Sequence, residues 1–334
     1  MVRLTRDWQF RGMDAVILEN GRIRVTVLPG VGARVIQLID KENDRDLLWH
    51  HPRREPSPAV LGSPGADLWW TGGIDDIFPT DFPCTYRNEQ LPYLGELWAN
   101  AWSCDVAECS GDAVEVSFTT RTVISPFEVT KRMRLCGDDD YLSVTYAIRN
   151  IGFGSYDWFF GIHPGIQVEK GSRLLFPIAE AITDDSWPVG RLAEKGTRYA
   201  WPLCPTADGG NIDLREVQGP DAGWWAFQYG PALVEGWLGV YHPRARNAFC
   251  ITFDHRFFRS LLFYLGYGGW RNTYSIIPQI ATAWPGGLSD VVSAGRQRSL
   301  EPGEVAQTTV GFHCLTGLGD ESQIKIRLGE IDHK

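Results

Sequence analysis

Residues 142–149 read Leu142-Ser143-Val144-Thr145-Tyr146-Ala147-Ile148-Arg149. Apolar and polar side chains alternate along the whole run. A period of two puts Leu142, Val144, Tyr146 and Ile148 on one face of an extended strand, so the segment reads as a half-buried strand. The same alternation recurs elsewhere. Ile23, Val25 and Val27 alternate with Arg22, Arg24 and Thr26, and Val114, Val116 and Phe118 with Glu115, Ser117 and Thr119. Turn residues punctuate these runs: Asn20-Gly21, Ser110-Gly111-Asp112 and Gly137-Asp138-Asp139-Asp140. Asn20-Gly21 predicts a hairpin between Val16–Leu18 and Ile23–Val25. Further strands are expected over 238–241, 249–253, 261–265, 274–281 and 308–312. Only Leu288 to Ala294 reads as a short helix, opening near Ser289 or Asp290. Residues 55–75 are rich in Pro and Gly and read as a long loop. The pattern is all-β, one large sandwich over nearly the whole chain.

Composition narrows the class. The chain has 334 residues, of which 43% are hydrophobic and 22% charged, a globular balance. Lys and Arg total 32 against 41 Asp and Glu, a formal net charge of −9. That sign repels phosphate backbones and argues against a nucleic-acid partner. No apolar run reaches the ~18 residues of a membrane span, so no membrane partner is expected. The opening MVRLTRDWQF has no apolar signal core. Seven scattered Cys without CxxC spacing fit reduced thiols and a cytoplasmic location. Aromatics are abundant: 14 Trp, 11 Tyr and 16 Phe. A wide β core accounts for many of them. The clusters Trp69-Trp70, Trp98 with Trp102, and Trp224-Trp225 also suit the apolar faces of a sugar.

Four segments carry a resemblance. The first is Leu18-Glu19-Asn20-Gly21 with Val27-Leu28-Pro29-Gly30-Val31-Gly32-Ala33. The second is Gly72-Gly73-Ile74-Asp75-Asp76-Ile77-Phe78-Pro79-Thr80, continuing through Leu91-Pro92-Tyr93-Leu94-Gly95-Glu96-Leu97-Trp98 to Trp102. The third is Gly161-Ile162-His163-Pro164, and the last is Leu300-Glu301-Pro302-Gly303-Glu304. In order and spacing these resemble the galactose mutarotase-like superfamily, the aldose 1-epimerases, over roughly residues 16–315. The resemblance implies a β-supersandwich as a single domain over 1–334, with a small carbohydrate in an open cleft. It also implies a reaction in which a Glu removes the anomeric hydroxyl proton and a His protonates the ring oxygen. Neither metal nor cofactor is required. A homodimer is a further expectation, from exposed edge strands.

His163 matches the acid histidine. Three other positions depart from the family pattern. Leu94 stands where the motif has a His, and Tyr93 where it has Asp. Gln279, in Ile277-Pro278-Gln279-Ile280, aligns with the Glu that supplies the base, and Gln accepts no proton at neutral pH. Replacement bases near the motifs are Asp75, Asp76, Glu96, Asp157 and Asp254, with Glu96 favoured by its closeness to Leu94. Tyr93 could serve as acid or relay. Sugar contacts are expected from Tyr93, Trp98, Gln279, Trp70, Arg53, Trp284 and Asp254. Arg34, Arg54 and Arg271 are further cations near the cleft loops, and Arg271 would suit an acid sugar. Three readings compete: a mutarotase with a relocated carboxylate, a different proton-transfer enzyme on a sugar such as a lyase or epimerase, and a sugar binder without catalysis. A metal site from His50, His51, His163 and His242 lacks ligand spacing, because adjacent strand residues face opposite ways.

Overall fold

The computed structural model describes residues 1–63 and 70–331. Two large antiparallel sheets dominate. A 12-stranded sheet runs from Arg3–Phe10 at one edge through Gly73–Ile77, Gly161–Gly165, Tyr274–Ala281, Ser260–Tyr267, Trp224–Gly230 and Glu180–Trp187 to Arg198–Ala200. An 8-stranded sheet holds Val305–Leu315, Tyr141–Asn150 and Phe127–Cys136 in its middle, with Ala113–Arg121 next to one edge.

The period-two residues face the other sheet. Leu142, Val144 and Ile148, with Val114, Val116 and Phe118, are fully buried, and they join Ile23, Val25 and Val27 in one apolar cluster between the sheets. The Asn20 hairpin forms between Met13–Glu19 and Ile23–Leu28. The Asn20 side chain accepts hydrogen bonds from the backbone N–H of Arg22 and Ile23, which explains Asn at that position. The expected helix spans Leu288–Ser293, with Gly287 rather than Ser289 or Asp290 at its start.

Two expectations need correction. The span 55–75 is not loop to its end, because Gly73–Ile77 is a buried central strand. Residues 64–69, including Trp69, lie outside the described residues. A second helix, Ser322–Ile331, was also not expected. Among its described side chains, Ile324 and Leu328, one helical turn apart, are the buried apolar ones, packing with Tyr241, Ala248, Leu315 and Leu318. So short an apolar stripe leaves little periodic signal. No helix among the described residues is long and apolar enough to cross a membrane.

One ion pair pins the sheets together. Asp75 and Asp76 are adjacent on a strand and point to opposite faces. Asp76 points inward and accepts hydrogen bonds from Lys131 Nζ at 2.6 Å and Tyr146 Oη at 2.8 Å, both from the 8-stranded sheet. Lys131 also donates to the Ala33 carbonyl at 2.8 Å.

Candidate functional site

The outward face of the 12-stranded sheet carries a cavity of about 350 Å³, at the small end of ligand pockets, which run from ~300 to ~1,000 Å³. Strand alternation builds it. On Tyr274–Ala281, Ile276 and Ile280 enter the core while Ile277 and Gln279 line the cavity. On Ser260–Tyr267, Leu261, Phe263 and Leu265 go inward, and Leu262 and Tyr264 outward. On Trp224–Gly230, Trp224 and Ala226 go inward, and Trp225 and Phe227 outward. Loops add Trp70, Phe82, Tyr93, Leu94 and Trp270. Flat rings therefore surround the cavity. Phe82 lies parallel to Tyr93 with centroids 6.1 Å apart, and Trp225 stacks on Tyr264 at 6.0 Å.

The polar centre is His163, Gln279 and Asp81. Asp81, directly after the Phe78-Pro79-Thr80 motif, is buried, and its Oδ2 accepts a hydrogen bond from Gln279 Nε2 at 2.9 Å. Burial pushes its carboxyl up to about 6, against the smaller downward pull of the Gln279 amide. The backbone fixes its place: the Asp81 N–H donates to the Gly286 carbonyl at 2.9 Å, and its carbonyl accepts from the Leu94 N–H at 2.6 Å. His163 lines the same cavity. Burial, then the Arg34 guanidinium, drives its pKa down to about 3, so the ring is neutral. Its Nδ1 is buried with no partner.

Two glycines make room for these groups. A Cβ on Gly161 would lie 2.8 Å from Gln279 Nε2, and one on Gly286 would lie 2.7 Å from the Asp81 Cβ. Gly286→Ala is expected to shift the Asp81 carboxyl while leaving the sheets folded. On the reading proposed below, anomer interconversion falls on the order of 10²-fold, the effect of a misplaced catalytic group. Circular dichroism checks the fold and polarimetry the rate.

The other sequence-selected residues fall in several places. Trp70 lines the cavity, its ring edge-on to His163 at 5.3 Å, and its Nε1–H donates to Asp75 Oδ2 at 3.0 Å. Asp75 also accepts from Arg34 Nε at 2.5 Å, so it holds Trp70 from behind the wall. Asp76 lies on the inner face with Lys131. Glu96 is buried away from the cavity: its carboxylate accepts from the N–H groups of Val123, Ile124 and Ser125 and from the Ser125 hydroxyl, clamping that turn. Trp98 packs behind Leu94 in an apolar cluster. Trp284, expected to contact sugar, does not line the cavity and lies under the Arg296 guanidinium at 3.9 Å. Asp157 bonds Tyr86 and Ser299. Arg53 and Asp254 are exposed and do not line the cavity, Asp254 capping the Arg256 N–H. Among the described residues, no group of three His, Cys, Asp or Glu converges as a metal site. Asp81 escaped the sequence reading, although it directly follows the Phe-Pro-Thr motif.

Solved structures share this architecture. A candidate aldose 1-epimerase from Klebsiella pneumoniae matches with a TM-score of 0.76 at 14% identity, over 99% of this chain and 87% of that one. A galactose mutarotase-like protein from Lactobacillus casei matches at 0.60 and 17% identity, over 90% of this chain and 99% of that one. A candidate mutarotase from Salmonella typhimurium matches at 0.62 and 9% identity, over 94% of each chain. No family model matches the sequence. The chain therefore has the galactose mutarotase-like fold, carried by a far-diverged sequence. That is the fold the motifs around Asp75, His163 and Glu301 imply.

Proposed function

We propose that the cavity binds an aldose and that the chain interconverts its anomers by acid–base chemistry, with Asp81 as the base. The observation that carries this reading is the buried, raised carboxyl of Asp81 lining one aromatic-walled cavity with His163. A base poised near neutral pH is ionised when needed and still takes a proton readily. Asp81 removes the anomeric hydroxyl proton, the C1–O5 bond opens, and rotation about C1–C2 followed by reclosure gives the other anomer.

His163 faces the ring oxygen in this reading, as a neutral N–H donor. A cationic route is far less populated. Burial raises the Asp81 carboxyl to about 6 and lowers the His163 imidazole to about 3, so both directions disfavour the state that pairs an ionised Asp81 with a protonated His163. A neutral imidazole stabilises developing charge on the departing oxygen through its hydrogen bond and passes its proton along that bond. Gln279 fixes the Asp81 carboxyl, and the aromatic walls supply stacking area.

The test is mutarotation of freshly dissolved aldoses, followed by NMR, with His163→Ala as control. Acceleration lost in the variant supports the reading. Tight sugar binding with no acceleration on any aldose leaves a binder and sinks it. The pH profile adds a second check. kcat/KM should fall as pH drops through about 6, where Asp81 takes a proton, and level off above it. A rate unchanged from pH 7.5 to pH 5 would remove Asp81 as the base.

A further inference from the structure

The charges around the cavity narrow the ligand, on the aldose reading above. Among the described lining residues the charged side chains are all acidic: Asp81, Asp184 and Asp185. Asp184 and Asp185 are consecutive, and a regular strand would send them to opposite faces. Here the pairing of Glu180–Trp187 with Trp224–Gly230 shifts register between Thr183 and Ser186. That bulge re-aims the chain, and both residues line the cavity. Tyr229 Oη donates to Asp184 Oδ2 at 2.8 Å and steadies it. Lys195 engages Asp184 and lies 3.6 Å from Asp185, yet it is two-thirds exposed and does not line the cavity. Two carboxylates against one lysine leave the wall negative.

Two further observations point to a ligand. Tyr264 Oη and His163 Nδ1 are buried without protein partners in the cavity wall. Trp225 and Tyr264, stacked on each other, line the same cavity, and aromatic rings favour a cation over an anion beside them. Arg271, the cation expected to suit an acid sugar, lies over Trp270 at 4.8 Å and is not a lining residue.

We propose that the cavity takes an amino sugar, an aldose bearing a protonated amine, with the ammonium against Asp184 and Asp185, and that it rejects uronates. Calorimetric titration at pH 7 tests this with glucosamine and galactosamine, their neutral parents, and the matching uronates. An ammonium about 5 Å from a carboxylate in a half-open cleft gains on the order of tenfold in affinity, and a uronate loses as much. Asp184→Asn with Asp185→Asn should bring the amine to within about twofold of the neutral sugar. Lys195→Ala, at an exposed residue, should tighten the amine severalfold, and it keeps the test alive if the double variant does not fold. A uronate that binds as well as the neutral sugar overturns the proposal, as does an amine preference that ignores all these substitutions. Neutral sugars bound with no amine preference overturn it alone, whereas no binding by any sugar also overturns the aldose reading.

Discussion

Asp81→Asn is expected to lower anomer interconversion by ~10²–10⁴-fold, the usual worth of a general base, while sugar binding survives. Stability should move the other way. Burial lifts the Asp81 carboxyl from its ordinary 3.8 to about 6. Below about pH 4 the group is protonated in both folded and unfolded chains and contributes nothing. Above about pH 6 the folded chain holds a buried charge that the unfolded chain leaves in water, at a cost of about 3 kcal/mol. Asparagine removes that cost, and Gln279 can turn its amide to meet the new partner. Urea unfolding should therefore show the variant gaining ~2–3 kcal/mol at pH 7.5, with the gain shrinking as pH falls toward 5. Loss of rate with gain of stability marks a residue kept for function. Loss of both would make Asp81 a structural carboxylate.

Lys131→Met is expected to give the largest loss of stability. Lys131 and Asp76 are both essentially fully buried and 2.6 Å apart between the two sheets. Removing the ammonium leaves Asp76 with Tyr146 alone, and breaking a buried pair from one side costs ~3–5 kcal/mol. The urea midpoint should fall sharply. Adding Asp76→Asn should recover a good part of it, because no uncompensated charge then remains. A midpoint within experimental error of the parent would show that the pair does not hold the sheets.

Much of the fold was legible because alternation is local. Val114, Val116 and Phe118, or Leu142 to Ile148, declare their inner face within eight residues, and the hairpin at Asn20 is written in its turn. His163 was legible through its Gly-Ile-His-Pro context. The other half of the site was not. Asp81 sits on a loop with no periodicity, and its carboxyl is placed by Gly286 and Gln279, both about 200 residues further along the chain. Glu96 drew attention through its motif, but its four hydrogen bonds go to a turn whose approach the local sequence does not reveal. Asp184 and Asp185 carry no motif or periodicity in the sequence that sets them apart. The register shift that turns both to one cavity belongs to the pairing with Trp224–Gly230, not to either strand alone.

The 2.9 Å contact between Gln279 and Asp81 constrains how such a site can change over generations. In the family the sequence resembles, a Glu stands where Gln279 does. Two carboxylates at that spacing cannot both ionise, and they would share a proton. A lineage carrying acids at both positions would hold a half-titrated dyad, and one carrying neither would have no base. On the reading proposed above, an amide at the old position lets the new carboxyl ionise alone, which a second carboxylate there would oppose. Descendants then need that amide to hold the new carboxyl in place.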